Sequence, residues 1–367
     1  MNLEVTQVAE KFTYAKAGVD RKLRAKSKKT LKILGETYKY NHYGDVVQLP
    51  YGNIFPAGEE RYLDLVIEGV GTKVLLTQLA QKYDTIGIDA VASAVNDVIR
   101  SGAEPLAISD NIHAQVSDPD LVEELLAGIS KGAAEAKCIV PSGEIGDVGE
   151  VVKGLVKGKG FDLVVATIGE VTREKIIHGK DVKPNDAIIG LKSSGIHSNG
   201  VSLARKVLLK QWGGRYDPFE VPEGLNREVV LEMLEPMEIY VEPLLKVADL
   251  LKVKVAVHIT GDAYLKFGNL TRFSPQIGFE FDNFKPQPIF KLIQTTASEL
   301  GTPIGEEEMF KTFNMGWGFA IIVDEHDEDR TIDSLESTGA EAEQIGRVTR
   351  AEGIRILHEG RKIILKD

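Results

Sequence analysis

From residue 63 onward, short apolar runs alternate with amphipathic segments across intervening loops, and near residue 186 the same alternation begins again. Strand and helix signals in both halves predict two α/β lobes. In the first half, residues 63–67, 85–88, 105–110, 138–140 and 162–171 read as strands. Residues 89–101 read as a helix that Gly102 stops. A second helix opens at Ser117-Asp118, with Pro119 in the first position, where its missing N–H costs nothing. That helix puts Leu121, Leu125, Ile129 and Ala133 on one face. In the second half, residues 186–191, 255–259 and 318–323 read as strands and 199–210 as a helix. The polar stretch 172–185 places a domain boundary near 172, giving lobes 1–171 and 172–367. No short-period repeat or low-complexity tract interrupts them.

Composition narrows the function. With 43% hydrophobic and 27% charged residues, the 367-residue chain is that of an ordinary globular protein. Its 36 glycines exceed the usual share of roughly 7% and point to many tight turns or backbone-lined loops. A net charge of −11 argues against a nucleic-acid partner, which needs a basic stripe. A phosphorylated substrate stays open, because a local pocket can be positive on an acidic protein. One cysteine, Cys138, cannot form an internal disulfide or a Cys-rich metal site. No apolar run reaches the roughly 18 residues of a membrane helix, and the polar N-terminus does not resemble a secretory signal. A cytoplasmic address is expected.

Several segments carry possible chemistry. Residues 21–32 hold seven Lys or Arg side chains, which fit either a solvated helix face or a mobile arm that closes over an anion. Glu68-Gly-Val-Gly-Thr-Lys73 follows a predicted strand. There Gly69 and Gly71 permit close backbone approach to a ligand and Lys73 can meet a phosphate, although a plain turn explains the segment equally. On a helix, Val91, Val95 and Val98 form one buried stripe. Asp89, Ser93 and Asn96 fall on the opposite face, with Asp97 about 100° further round. Such oxygen donors suit Mg²⁺, and a polar solvent face is the alternative. Asp110 at the end of the next strand, and Glu144 in a loop after 138–140, join Glu68 in placing acids at strand ends. Ligands of α/β sheets gather there. The loop Ser193-Ser-Gly-Ile-His-Ser-Asn-Gly200 precedes a helix and offers N–H and O–H donors to an anion. Within it, His197 could donate to a phosphate or move a proton. His258 marks another strand end, in Val257-His-Ile-Thr-Gly-Asp262. The aromatic, Gly-rich residues 309–319 read as core packing.

In their order and wording, these segments resemble the phosphoribosylformylglycinamidine cyclo-ligase (AIR synthetase) family of purine biosynthesis. The resemblance runs from Tyr14-Ala-Lys-Ala-Gly-Val-Asp20 to about Gly346. Gly69-Val-Gly-Thr-Lys73, Ile86-Gly-Ile-Asp89, Val95-Asn-Asp97, Gly102-Ala-Glu-Pro105 and the 193–200 loop match its pattern. The Asn-Asp helix is similar to that of a wider ATP-binding superfamily that includes selenophosphate synthetase and thiamine-monophosphate kinase. Met309-Phe-Lys-Thr-Phe-Asn-Met-Gly316 is similar to the cyclo-ligases themselves. The chain departs from them at Glu68, where the family has Asp, at Asp262-Ala-Tyr264 in place of a Gly-rich run, and around Glu144, where Ser142 and Val148-Gly149 replace glycine and Pro-Gly.

The resemblance implies an ATP-dependent ligase that closes the ring of formylglycinamidine ribonucleotide. It implies a homodimer paired through mixed N-terminal sheets, so that residues 1–171 bind ATP and metal and dimerise while 172–367 form an α/β lobe. It further implies that Gly69, Gly71, Thr72, Asp89, Asn96, Ser194 and Asn199 meet the nucleotide. Glu68, Asp97, Asp110 and Glu144 would hold Mg²⁺, and Lys73, His197 and His258 would serve the chemistry. Two other readings compete: another phosphoryl-transfer enzyme of the superfamily, against which Thr312-Phe-Asn-Met-Gly316 speaks, and a non-catalytic nucleotide-binding assembly subunit, against which the retained acids speak.

Overall fold

A computed structural model describes residues 11–366. Two sheets organise them. The first contains β1 (Val47–Leu49), β2 (Gly52–Pro56), β3 (Arg61–Gly69), β4 (Glu104–Ala114), β5 (Ile139–Asp147) and β6 (Phe161–Thr172), in the order β1-β2-β3-β6-β4-β5. Only β4 and β5 pair in parallel. The second contains β7 (Ala187–Lys192), β8 (Val255–His258), β9 (Gly278–Phe281), β10 (Trp317–Val323), β11 (Ala342–Thr349), β12 (Gly353–His358) and β13 (Arg361–Leu365), in the order β13-β12-β9-β11-β7-β10-β8. Its one parallel pair is β9–β12.

Helix α1 (Arg21–Lys28) precedes the first sheet; α2 (Val74–Ala80), α3 (Ile86–Val98) and α4 (Pro119–Glu135) follow β3 and β4. The Asp118 carboxylate accepts the N–H groups of Asp120 and Leu121, so α4 starts as its sequence predicts. Gly102 ends the α3 region with φ 85°, a conformation that costs glycine little.

One expectation is overturned. Residues 85–88, predicted as a strand, form the start of α3, because a four-residue apolar run does not distinguish a strand from a buried helix turn. Gly87 makes this possible: a Cβ there would sit 2.4 Å from the Ile129 nitrogen, so α3 and α4 meet backbone to backbone. The one-sided stripe is corrected too, since every residue of α3 is buried. The β3 and β6 strands cover one side, α4 another, and the second lobe the remainder. A single core joins Ile86, Val91 and Val95 of α3 to Ile189, Phe319 and Ile321 of the second sheet, so the lobes share their interior. Among the described residues, no helix is long and apolar enough to cross a membrane.

Candidate active site

The site is built around α3, whose two ends differ. Near its N-terminus, Asp89 and Lys73 are both sealed from solvent, with the Lys73 ammonium 2.7 Å from Asp89 Oδ2. Lys73 also donates to the Glu235 carbonyl, and Asp89 accepts from the Met237 N–H and the Ser198 hydroxyl. One residue before Asp97, Asn96 donates to the Glu238 carbonyl and accepts the Tyr240 N–H. Asp89 and Asn96 therefore staple the 235–240 segment to α3, and Lys73 is committed inside the protein rather than facing a cavity.

The C-terminal end opens onto a cavity of about 1330 Å³ between the lobes. Its wall includes Asp64, Glu68, Asp97, Arg100, Asn199, Asp262 and Lys266. Asp97 is gripped by Arg100, 2.7 Å from Oδ2, and by His258, whose Nδ1 lies 2.7 Å from Oδ1. Burial works against the Asp97 charge, but Arg100 and His258 outweigh it and hold its pKa below the ordinary carboxylate range. Burial lowers His258 to about 4 despite Asp97, so the imidazole is neutral at pH 7, and its Nε2 is buried without a partner among the described residues. Burial and then the Asp97 charge push Glu68 up to about 7. Lys266 is half-buried and donates to the His258 carbonyl and the Thr260 hydroxyl; burial lowers its pKa to about 8.

The basic arm lies along the same cavity, which Arg24, Lys28, Lys29 and Lys32 line. It is anchored at its root: Arg21 bonds to Glu308 and Thr312, and both Arg21 and Arg24 pair with Asp262. Asp262 thus stands where a Gly-rich run is the family pattern and gives the arm its anchor.

The residues singled out from sequence are not all brought together. Glu68, Asp97 and Asn199 line the cavity. Asp110 shares the inner face of the sheet with Glu68, each opposite Val165, so two strand spacings of ~4.8 Å separate them. It lies within β4 rather than at its end, and its carboxylate sits over Gly143, where a Cβ would come within 2.3 Å. Glu144 belongs to the exposed edge strand β5 rather than to a loop. It is in register with Asn111, on the opposite face from Asp110. The expected four-carboxylate metal group is therefore divided. His197, expected as an anion donor in an open loop, is 1% exposed. Its Nε2 accepts the Ser194 N–H, and its ring faces Gly318, where a Cβ would meet Cε1 at 2.6 Å. Ser194 lines a separate groove, and Thr72 bonds Ser202. Gly69 and Gly71 lead from β3 into α2 through a left-handed turn at Gly71, φ 59°. Sequence reasoning missed Arg100, although its i+3 spacing from Asp97 was visible, and Lys266, which only the fold brings beside Asp97.

The donor set fits a hard cation. Glu68 and Asp97 are paired carboxylates at a cavity wall; burial first and the Asp97 charge second raise the Glu68 pKa, and a divalent ion would offset both by favouring the charged form.

The AIR synthase related protein N-terminal domain model matches residues 52–171 and its C-terminal counterpart residues 183–359. The phosphoribosylformylglycinamidine cyclo-ligase of Pyrococcus furiosus is 36% identical over 365 residues, covering 96% of this chain and all of that protein. The enzyme of that name from Bacillus pumilus is 39% identical over 315 residues, 83% of this chain and 86% of its own. Among solved structures, thiamine monophosphate kinase from Aquifex aeolicus aligns with a TM-score of 0.59 at 15% identity, over 94% of this chain and 99% of that one. A HypE–HypF complex chain gives 0.58 at 16% identity, over 85% and 92%; both likenesses speak to the fold alone. The two matched domains and the full-length relatives place this chain in the phosphoribosylformylglycinamidine cyclo-ligase family.

Proposed function

We infer that the protein uses ATP to convert formylglycinamidine ribonucleotide to aminoimidazole ribonucleotide, releasing ADP and phosphate. The observation that carries this reading is the inter-lobe cavity, which joins paired carboxylates at one wall to a row of arm cations at another. At about 1330 Å³ it exceeds the roughly 300–1,000 Å³ of an ordinary small-molecule site, as two reactants require.

The formyl oxygen of the substrate is a poor leaving group. The bond from the γ-phosphorus to the β–γ bridging oxygen breaks, its electron pair leaves with ADP, and the formyl oxygen takes the phosphoryl group. A substrate nitrogen then attacks the activated carbon, loses a proton and expels phosphate. Transfer of this kind depends on alignment and charge neutralisation. Lys28, Lys29 and Lys32 attract and orient the phosphorylated reactants, on an arm that Arg24 helps to anchor. Glu68 and Asp97 would hold Mg²⁺, which when bound neutralises charge on the triphosphate. Neutral His258 and Asp97 form one hydrogen-bonded unit with Asp97 on the cavity side, so His258 positions the Asp97 carboxylate. The test is phosphate release from ATP with and without formylglycinamidine ribonucleotide. Substrate-dependent release matched by aminoimidazole ribonucleotide supports the reading; substrate-independent hydrolysis or none rejects it.

A homodimer completes the proposal. Leu65 and Ile67 are 62% and 68% exposed on the outer face of the first sheet, and Ile139 on its edge strand is 65% exposed. An apolar sheet face of this kind suits burial against a second copy. Sedimentation should give twice the chain mass, and Ile67→Lys should give monomers.

A further inference from the structure

The cavity contains a cation whose environment differs from that of the basic groups nearest the paired carboxylates and from that of Lys73. Lys73, which the sequence suggested for phosphate charge, is fully buried on Asp89 and the Glu235 carbonyl. Arg100 is occupied by Asp97, and Arg24 by Asp262. Lys266 alone lines the wall beside Glu68 and Asp97 while its hydrogen bonds go only to neutral oxygens, the His258 carbonyl and the Thr260 hydroxyl. Among the described residues it makes no ion pair. An ammonium has three donors, so one N–H remains uncommitted. The two bonds tie it to the end of β8, one of them to the carbonyl of the same residue whose imidazole grips Asp97. It is therefore a fixed ammonium without an anionic partner, held at a ligand cavity.

We propose that Lys266 is a catalytic residue that binds an oxygen of the phosphoryl group in transfer, taking the part that its sequence position suggested for Lys73. This rests on the phosphoryl-transfer reading above. The terminal phosphoryl group of a nucleoside triphosphate passes between ADP and the acceptor with its charge spread over three oxygens, and a positioned cation stabilises that state. Lys266 neither gives nor takes a proton in the step. Its ammonium supplies charge at the oxygens while the bond to ADP breaks and the bond to the acceptor forms. The interaction also discriminates a triphosphate from a diphosphate, because only the former presents the terminal group. A lysine suits the role as a compact point charge on a flexible stem.

The test uses Lys266→Gln, which can keep donating to the His258 carbonyl and the Thr260 hydroxyl without the charge, and Lys266→Arg, which restores charge. Two quantities are measured on the full chain: substrate-dependent phosphate release, and the ratio of affinities for a non-hydrolysable ATP analogue and ADP by calorimetry. We expect Lys266→Gln to lower kcat at least 100-fold and the affinity ratio at least tenfold, with an unchanged melting temperature, and Lys266→Arg to recover part of both. A Gln variant with kcat and affinity ratio within threefold of wild type would overturn the proposal and leave the cyclo-ligase reading standing. If wild type binds the analogue but turns over no formylglycinamidine ribonucleotide, the cyclo-ligase reading falls, and collapse of the affinity ratio in the Gln variant still upholds Lys266 as the phosphoryl ligand. If Lys266→Gln does not fold, the same two measurements on Lys266→Met decide the case by the same thresholds.

Discussion

Asp89 and Asp97 stand about two turns apart on α3 and have opposite fates. The first is closed inside a pair with Lys73 and collects donors from two loops. The second is clamped by Arg100 and His258 yet remains part of a cavity wall. Both fit a metal-binding reading of the sequence equally well. What separates them is what packs over each side of the helix: the 235–240 segment covers the face that carries Asp89 and Asn96, while Asp97 meets the gap between the lobes. A carboxylate on a helix is thus a ligand or a staple according to the long-range neighbours of the face it occupies, and residue type alone does not decide it.

This contrast can be broken most severely at the sealed end. Lys73→Met leaves Asp89 buried without its partner and should cost about 3–5 kcal/mol in urea unfolding, and the double variant Lys73→Met/Asp89→Leu should recover most of that loss. A cost below about 1 kcal/mol would mean that the pair is not sealed. At the open end the effect should fall on rate. Asp97→Asn should lower kcat/KM roughly 100-fold, about 2.7 kcal/mol of barrier, with a smaller loss of stability than Lys73→Met. Equal turnover at limiting Mg²⁺ would remove Asp97 from the site. The two histidines sharpen the comparison. His197→Ala should cost about 1–3 kcal/mol of stability and leave activity per folded molecule intact. A tenfold loss of kcat/KM at unchanged melting temperature would return His197 to the chemistry. The smallest effect belongs to the arm anchor. Asp262→Ala removes partly exposed ion pairs and should cost about 0.2–1 kcal/mol while speeding hydrogen exchange in residues 21–28. Unchanged exchange would show that the Arg21 bonds to Glu308 and Thr312 suffice to hold the arm.

Local signals were legible where one element decides the outcome. Asp118-Pro119 and Gly102 mark the α4 start and the α3 stop because caps act within a turn. The run 85–88 misled because its four residues carry no period, and the deciding contact is Gly87 against Gly128, distant in sequence. Only the family resemblance put Glu68 and Asp97 in one group, and it put Asp110 and Glu144 there with them. The separation of Asp110 and Glu144 depends on strand register, since each step along a strand changes the face. Lys266 carried no motif. Its role as a cation depends on Asp97 and Glu68, far away in sequence, and on a loop that brings it back to His258.

The complete burial of α3 has a consequence for watching this protein at work. Its amides have no local route to solvent, because β3, β6, α4 and the second sheet must all separate before they are exposed. Their deuterium uptake should follow global unfolding, making α3 an internal gauge of whole-molecule stability. Ligand binding would slow that uptake only by the amount of free energy it adds to the native state. Any faster change on adding nucleotide must arise in segments such as the arm, so uptake resolved by segment separates local closure over the cavity from overall tightening in one experiment.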